Sequence, residues 1–69
     1  MQLTKKQKAA VQTIQAVLGV SLSVSASRRN VVTIQVADEQ MARDIERVCF
    51  NYKIGRVAPN GVQKIAVII

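Results

Sequence analysis

The C-terminal segment VQKIAVII, residues 62–69, constrains the fold more than any other part of the chain. Its last five residues are all apolar, and three of them are isoleucine. This composition is typical of a strand in the middle of a sheet, because an apolar strand at a sheet edge promotes aggregation. We therefore predict that residues 62–69 form a central strand, buried on at least one face and expected to be buried on both.

The composition predicts one packed domain, residues 1–69, with an aliphatic core. Hydrophobic residues make up 49% of the chain, whereas Phe50 and Tyr52 are its only aromatic residues. A chain of 69 residues lies near the lower limit at which a protein buries enough surface to fold without disulfides or metal. Self-association would add to that burial, which favours a homodimer.

The cysteine and histidine content limits the chemistry that is available. The chain has one cysteine, Cys49, and no histidine, so neither an internal disulfide nor a Cys/His zinc site can form within one chain. We expect no metal, no cofactor and a reducing, cytoplasmic location. Residues 1–8 are polar and basic, and no apolar run approaches the ~20 residues of a membrane span. Neither a signal peptide nor a membrane partner is therefore expected.

Charged residues are unevenly distributed along the chain. Ten lysines and arginines oppose four acids, giving a net charge of +6. All four acids fall in one nine-residue window: Asp38, Glu39, Asp44 and Glu46. Arg43 lies within that window and Arg47 directly follows it, and the charges elsewhere are exclusively basic: Lys5, Lys6, Lys8, Arg28, Arg29, Lys53, Arg56 and Lys64. A field of one sign suits a polyanion, although the same charges also fit a merely soluble basic surface.

Two amphipathic helices are predicted. The first runs from residue 5 to residue 18, with Thr4 as its N-cap and Gly19 as its stop. The second, residues 39–51, follows Asp38 as N-cap. Its apolar stripe contains Met41, Ile45, Val48, Cys49 and Tyr52. On that stripe, Cys49 is expected to be a packed hydrophobe and not a nucleophile, because no base is present to activate it.

Some helix positions lie outside the apolar stripes. Ala9, Thr13 and Ala16 form a narrow face of small residues on the first helix, which either lets another helix dock or is ordinary surface filler. Phe50 lies off the stripe of the second helix, where it either covers the helix end or marks a contact surface. Lysines crowd the first turn of the first helix, where the helix dipole disfavours cations, so a functional demand for positive charge is plausible there.

Four strands are predicted at residues 21–27, 31–36, 52–58 and 62–69. The first, SLSVSAS, alternates serines with apolar residues, as a half-buried strand does. The turn Arg28-Arg29-Asn30 joins it to the second strand, so this hairpin carries two arginines at its tip. Pro59-Asn60-Gly61 is a strong turn signal between the last two strands.

The order α-β-β-α-β-β predicts an α+β two-layer sandwich with both helices on one face of a four-stranded sheet. Because the last strand is the most apolar, we place it centrally, in the sheet order 1-2-4-3, and expect it to run parallel to the second strand. This arrangement is a ferredoxin-like sandwich whose first strand has moved to the end. The predicted core contains Leu22, Val24, Ile34, Val36, Ile65, Val67 and Ile69 under Ile14, Val17, Met41, Ile45 and Val48.

The open face of this sheet is the candidate binding surface. It is predicted to carry Ser21, Ser23, Ser25, Thr33, Gln35 and Lys64, with Arg28 and Arg29 at one end and Lys53 or Arg56 along the edge. In a duplex groove, cations contact phosphates while hydroxyls and amides reach base edges. Stacking of single-stranded bases on the sheet is not expected, because the sheet has no aromatic platform.

The segment VTIQVADEQMARDIERVCFNYKIGRV, with Gly55 in its final turn and a PNG turn after it, resembles the core repeat of LAGLIDADG homing endonucleases. The resemblance covers residues 31–67, about half of the chain, and implies a sheet that sits in the DNA major groove. In the family, the first helix ends in an acid that binds the catalytic metal. Here Leu18, Gly19 and Val20 occupy that place. Nuclease activity of the family type is therefore not expected.

These observations lead to two functional expectations. The first is a non-catalytic, homodimeric module that binds double-stranded DNA through the open sheet face and the arginine hairpin tip. The alternative is a small interaction or inhibitor protein, which pairs with its own copy or binds an acidic protein. An enzyme is not expected, because the chain has no histidine and its three glycines form no phosphate-binding loop.

Overall fold

The computed structural model describes residues 2–69, which form two helices and one four-stranded sheet. Met1, the first residue of the polar N-terminal segment, lies outside the described residues. The elements are α1 (Lys5–Leu18), β1 (Ser23–Arg28), β2 (Val31–Gln35), α2 (Glu39–Asn51), β3 (Arg56–Pro59) and β4 (Lys64–Ile68). Both helices have the predicted bounds, whereas the strands are shorter than predicted or shifted along the chain.

Local capping signals set the helix boundaries. The Thr4 hydroxyl accepts a hydrogen bond from the backbone N–H of Gln7 at 3.1 Å, and Gly19 ends α1 in the left-handed conformation with φ 67°. The Asp38 carboxylate accepts from the N–H of Met41 at 2.9 Å at the start of α2. Neither helix within residues 2–69 has the length and apolarity that a membrane crossing requires.

The sheet has the predicted order β1-β2-β4-β3, and β4 is central. The predicted parallel pairing of β2 with β4 is wrong, because all three strand pairs are antiparallel. The crossover through α2 makes β2 and β3 parallel to each other. The following hairpin then reverses the chain, so β4, inserted between them, runs antiparallel to both. The topology is that of a ferredoxin-like sandwich with its first strand moved to the end.

The core lies between the sheet and the two helices. Ile34 of β2 and Ile45 of α2 are completely buried, and Ile14 of α1 is 1% exposed. On β4, Ile65 and Val67 face this core, but Ile68 on the other face is 37% exposed. The prediction that the last strand is buried on both faces is therefore wrong, because a two-layer fold covers only one side of its sheet.

One predicted core residue, Val17, and one residue of the predicted apolar stripe, Tyr52, lie at the surface instead. Val17 is 45% exposed, because α1 turns Val11, Ile14 and Leu18 towards the core and leaves Val17 at the margin of that stripe. Tyr52 is 56% exposed, because α2 ends at Asn51 and the chain turns there. That turn, with Lys53 at φ 54°, also delays the third strand, which begins at Arg56.

Candidate nucleic-acid interface

The open face of the sheet divides into a polar and an apolar part. The strand register aligns Ser23 with Gln35 and Ser25 with Thr33 across β1 and β2. We call the outer face of this hairpin the polar ribbon: Ser23, Ser25, Ser27, Thr33 and Gln35. Towards β4 and β3 the same face is largely apolar, and we call this part the apolar patch: Val31, Ala58, Ala66 and Ile68. Lys64 is exposed beside Gln35, at the end of the face away from the arginine tip.

A β-bulge places Arg28 on the open face. Leu22, Val24 and Ala26 alternate towards the helices, and strict alternation would send Arg28 to the same side. The register of β1 shifts between Ala26 and Arg28, so that Arg28 pairs with Val31, whose side chain lies on the open face. The bulge therefore adds Arg28 to the end of the polar ribbon.

Gln7 of α1 joins the first helix to the arginine hairpin. Its side chain is 1% exposed, and its amide nitrogen donates to the carbonyl oxygens of Arg28 at 2.9 Å and Arg29 at 3.0 Å. Its amide oxygen accepts from the backbone N–H of Thr4 at 2.9 Å, which completes a capping box. This one side chain fixes both the start of α1 and the tip of the hairpin.

The Gln7 contacts bring cations from distant parts of the sequence to one end of the molecule. The N-terminus of α1 lies at the β1–β2 turn, Ile69 donates to the Asn30 carbonyl at 2.8 Å, and Arg56 pairs with Ile68. The α2 C-terminus leads into β3 at the same end. We call this region the basic end: Lys5, Lys6, Lys8, Arg28, Arg29, Lys53 and Arg56, all of which are exposed.

Two of the four acids lie away from the basic end. Asp38 and Glu39 stand at the opposite terminus of α2, about 20 Å along the helix axis from its C-terminus. Within residues 2–69, one salt bridge forms, an exposed Arg43–Glu39 pair at 3.8 Å on α2. None of the cations of the basic end forms a salt bridge with a carboxylate side chain within the described part of the chain.

Not every predicted contact residue is equally available. The Thr33 hydroxyl is bonded to the hydroxyl of Ser27 and accepts from the side chain of Asn60 at 3.2 Å, so most of its hydrogen-bonding capacity is used within the protein. Ser23, Ser25 and Gln35 are exposed. These three side chains therefore keep hydrogen-bonding groups that face solvent, whereas the Thr33 hydroxyl is bonded to its neighbours.

Other predicted positions lie off the sheet. Lys53 is in the turn after α2, at the basic end, and Ser21 precedes β1. Ala9 and Ala16 are exposed on α1, and between them Thr13 donates its hydroxyl to the Ala9 carbonyl at 3.0 Å. A helix-docking role for this face stays a prediction.

Cys49 is packed in the core. Cys49 is 1% exposed. Burial raises the pKa of the Cys49 thiol to about 11, and the nearby Glu46 carboxylate is a second, smaller cause. A neutral, buried thiol is a poor nucleophile. Among residues 2–69, no cluster of three or more His, Cys, Asp or Glu side chains could hold a metal ion.

We predict that Cys49 resists alkylation in the native protein. At pH 8 the folded thiol should react with iodoacetamide at least about tenfold more slowly than the thiol of the urea-unfolded chain, because both burial and the raised pKa suppress the thiolate. Mass spectrometry of timed samples measures the two rates. Equal rates in the two states would contradict the buried position of Cys49.

Comparisons with family models, curated proteins and solved structures found no match to this chain. The resemblance to the LAGLIDADG core repeat therefore stays a prediction. The functional assignment depends on the geometry of the open face and the basic end.

Proposed function

We propose that this protein is a non-catalytic module that binds double-stranded DNA. The observation that carries the proposal is the continuity of two surfaces: the polar ribbon ends at Arg28, where the basic end begins. Cations at one end of a polar strand pair suit a ligand that presents phosphates beside hydrogen-bonding base edges. The resemblance of residues 31–67 to the core repeat of LAGLIDADG homing endonucleases, in which the sheet sits in the DNA major groove, supports the same function.

The polar ribbon has the dimensions for a DNA groove. The major groove of B-DNA is about 12 Å wide and admits a two-stranded β-ribbon. The complete sheet spans roughly 14 Å between its outer strands before side chains are counted, so it does not enter face-on. We therefore assign β1 and β2 to the groove, where Ser23, Ser25 and Gln35 present donors and acceptors to base edges.

In the proposed complex with DNA, the basic end contacts the phosphates and not the bases. Phosphates supply most of the sequence-independent affinity of DNA-binding proteins. Arg28 and Arg29 stand at the tip of the ribbon, and the lysines of α1 stand beside them through the Gln7 contacts. These cations would contact the DNA backbone on the rim of the groove while the ribbon lies inside it.

A double substitution at the hairpin tip tests this function. Arg28→Ala/Arg29→Ala should lower the affinity for a fluorescein-labelled duplex of about 20 base pairs by about 10- to 50-fold near 0.1 M NaCl, because two phosphate contacts are lost. Fluorescence anisotropy gives the dissociation constants. Both side chains are exposed, so thermal unfolding should change little.

The matched control is Arg43→Gln/Arg47→Gln, which removes the same charge from α2, away from the tip. It should lower duplex affinity by less than about threefold. If the two double variants weaken binding equally, the tip has no special role, and the affinity reflects net charge alone.

The apolar patch favours a second candidate function, which is association with another copy of this chain. Ile68 is 37% exposed beside the half-buried Val31, Ala58 and Ala66, and an apolar patch rimmed by Arg28 and Arg56 is typical of a protein contact. A two-fold dimer would pair the patch with itself. A monodisperse dimer in light scattering that leaves DNA unshifted in a gel would favour this function, or binding of an acidic protein, over DNA binding.

A further inference from the structure

A concave surface lies on the edge of the molecule opposite β1. It is a groove of about 650 Å³ between the outer face of α2 and the beginning of β3. We call it the Phe50 groove, and it is lined chiefly by Arg43, Glu46, Arg47, Phe50, Gly55 and Arg56. Its size is in the range of pockets that accept small organic ligands.

The helix period explains why these side chains meet. Arg43, Glu46, Arg47 and Phe50 follow the spacing i, i+3, i+4, i+7, so they share one face of α2. This face points away from the stripe of Ile45, Val48 and Cys49 that is buried in the core. Phe50 is consequently 72% exposed, and its two predicted roles, covering the helix end or marking a contact surface, stay predictions.

The groove combines an aromatic face with positive charge. Three arginines line it and only one carboxylate, Glu46, stands among them. Arg47 and Arg56 form no salt bridge within residues 2–69. Guanidinium groups bind phosphate through paired hydrogen bonds, and an exposed phenyl ring stacks on a flat base. Gly55 contributes only backbone to the wall, and a side chain there would collide with the backbone of Ile68 in β4.

We infer that the Phe50 groove binds a nucleotide whose base is unpaired, with the base stacked on Phe50 and the phosphate held by Arg47 and Arg56. A base inside a duplex cannot use this site, because both of its faces are stacked. The groove is therefore distinct from the proposed duplex surface on β1 and β2, and it shares only Arg56 with the basic end. The ligand is either a free mononucleotide or a nucleotide within a single strand.

Anisotropy with a fluorescein-labelled single strand of about twelve deoxyadenosines tests the inference. Phe50→Ala should weaken binding by about 5- to 100-fold, whereas Phe50→Tyr, which keeps the ring, should stay within about threefold of the unmodified protein. Arg47→Gln should weaken binding and make the salt dependence shallower by about 0.7 in the logarithmic slope. Because Phe50 is exposed, none of these variants should lose the fold, which circular dichroism checks.

Two further arms make the outcome decisive. Competition with millimolar deoxyadenosine monophosphate identifies the source: displacement of the strand assigns the site to free nucleotides, and no displacement assigns it to single strands. In the second arm, duplex binding by Phe50→Ala should remain within about twofold. Unchanged single-strand affinity in Phe50→Ala, or an equal loss for single strand and duplex, would overturn the inference. The result of the Arg28→Ala/Arg29→Ala experiment on duplex DNA does not depend on the result for the Phe50 groove.

Discussion

Gln7→Glu is expected to lower the free energy of unfolding by about 2–4 kcal/mol at pH 7. The native amide donates to the carbonyl oxygens of Arg28 and Arg29 and accepts from the N–H of Thr4. A carboxylate keeps the acceptor function but cannot donate. At a position that is 1% exposed, it would place a negative charge against two carbonyl oxygens.

The same substitution predicts a pH dependence. Burial beside carbonyl oxygens raises the folded-state pKa of the introduced carboxyl above its unfolded value of about 4.3. The unfolded chain therefore releases the proton first as the pH rises, and stability is lost in that direction. The gap between the variant and the unmodified protein should be smallest near pH 4 and should widen towards pH 7.

Urea unfolding followed by circular dichroism at the two pH values measures this effect. Gln12→Glu is the matched control, since Gln12 is exposed on the same helix and should change stability by less than about 0.5 kcal/mol. If Gln7→Glu behaves like Gln12→Glu at pH 7, the amide contacts do not hold α1 to the hairpin.

Local signals made the helices predictable from the sequence. Thr4, Gly19 and Asp38 are caps that act on their immediate neighbours, so the bounds of α1 and α2 follow without knowledge of the tertiary fold. The sheet order followed from one global argument, that the most apolar strand is central. The predicted direction of β4 was wrong, because the composition of a strand indicates its position in a sheet but not its orientation. Orientation follows from the crossover and the hairpin.

Parts of the candidate site depended on contacts that the sequence does not display. Alternation along β1 gives no sign of the bulge that turns Arg28 to the open face. Gln7 is at the third position of a Thr-x-x-Gln capping box, which is readable, but its bonds to residues more than twenty positions away are not. The excess of lysine in the first turn of α1 was the available clue, because local helix energetics does not explain it.

The polar positions of the sheet were predictable for a different reason. Period-two alternation is a strong local signal, and it correctly placed Ser23, Ser25 and Gln35 on the open face. It also placed Thr33 there correctly. It did not predict the hydrogen bonds with Ser27 and Asn60 that occupy the Thr33 hydroxyl. Which side chains of a surface bond to each other depends on strand register and turn geometry, and the residue pattern of a single strand does not give either.

Binding to DNA through the basic end is tested most directly by the salt dependence of duplex affinity. If about five of the seven cations of the basic end neutralise phosphates, the logarithm of the association constant should fall with the logarithm of NaCl concentration with a slope of about −4.5. Affinity would then drop roughly 500-fold between about 50 mM and 200 mM NaCl. Anisotropy titrations of one labelled duplex across this range give the slope. A duplex affinity that stays the same from low to high salt would contradict the account.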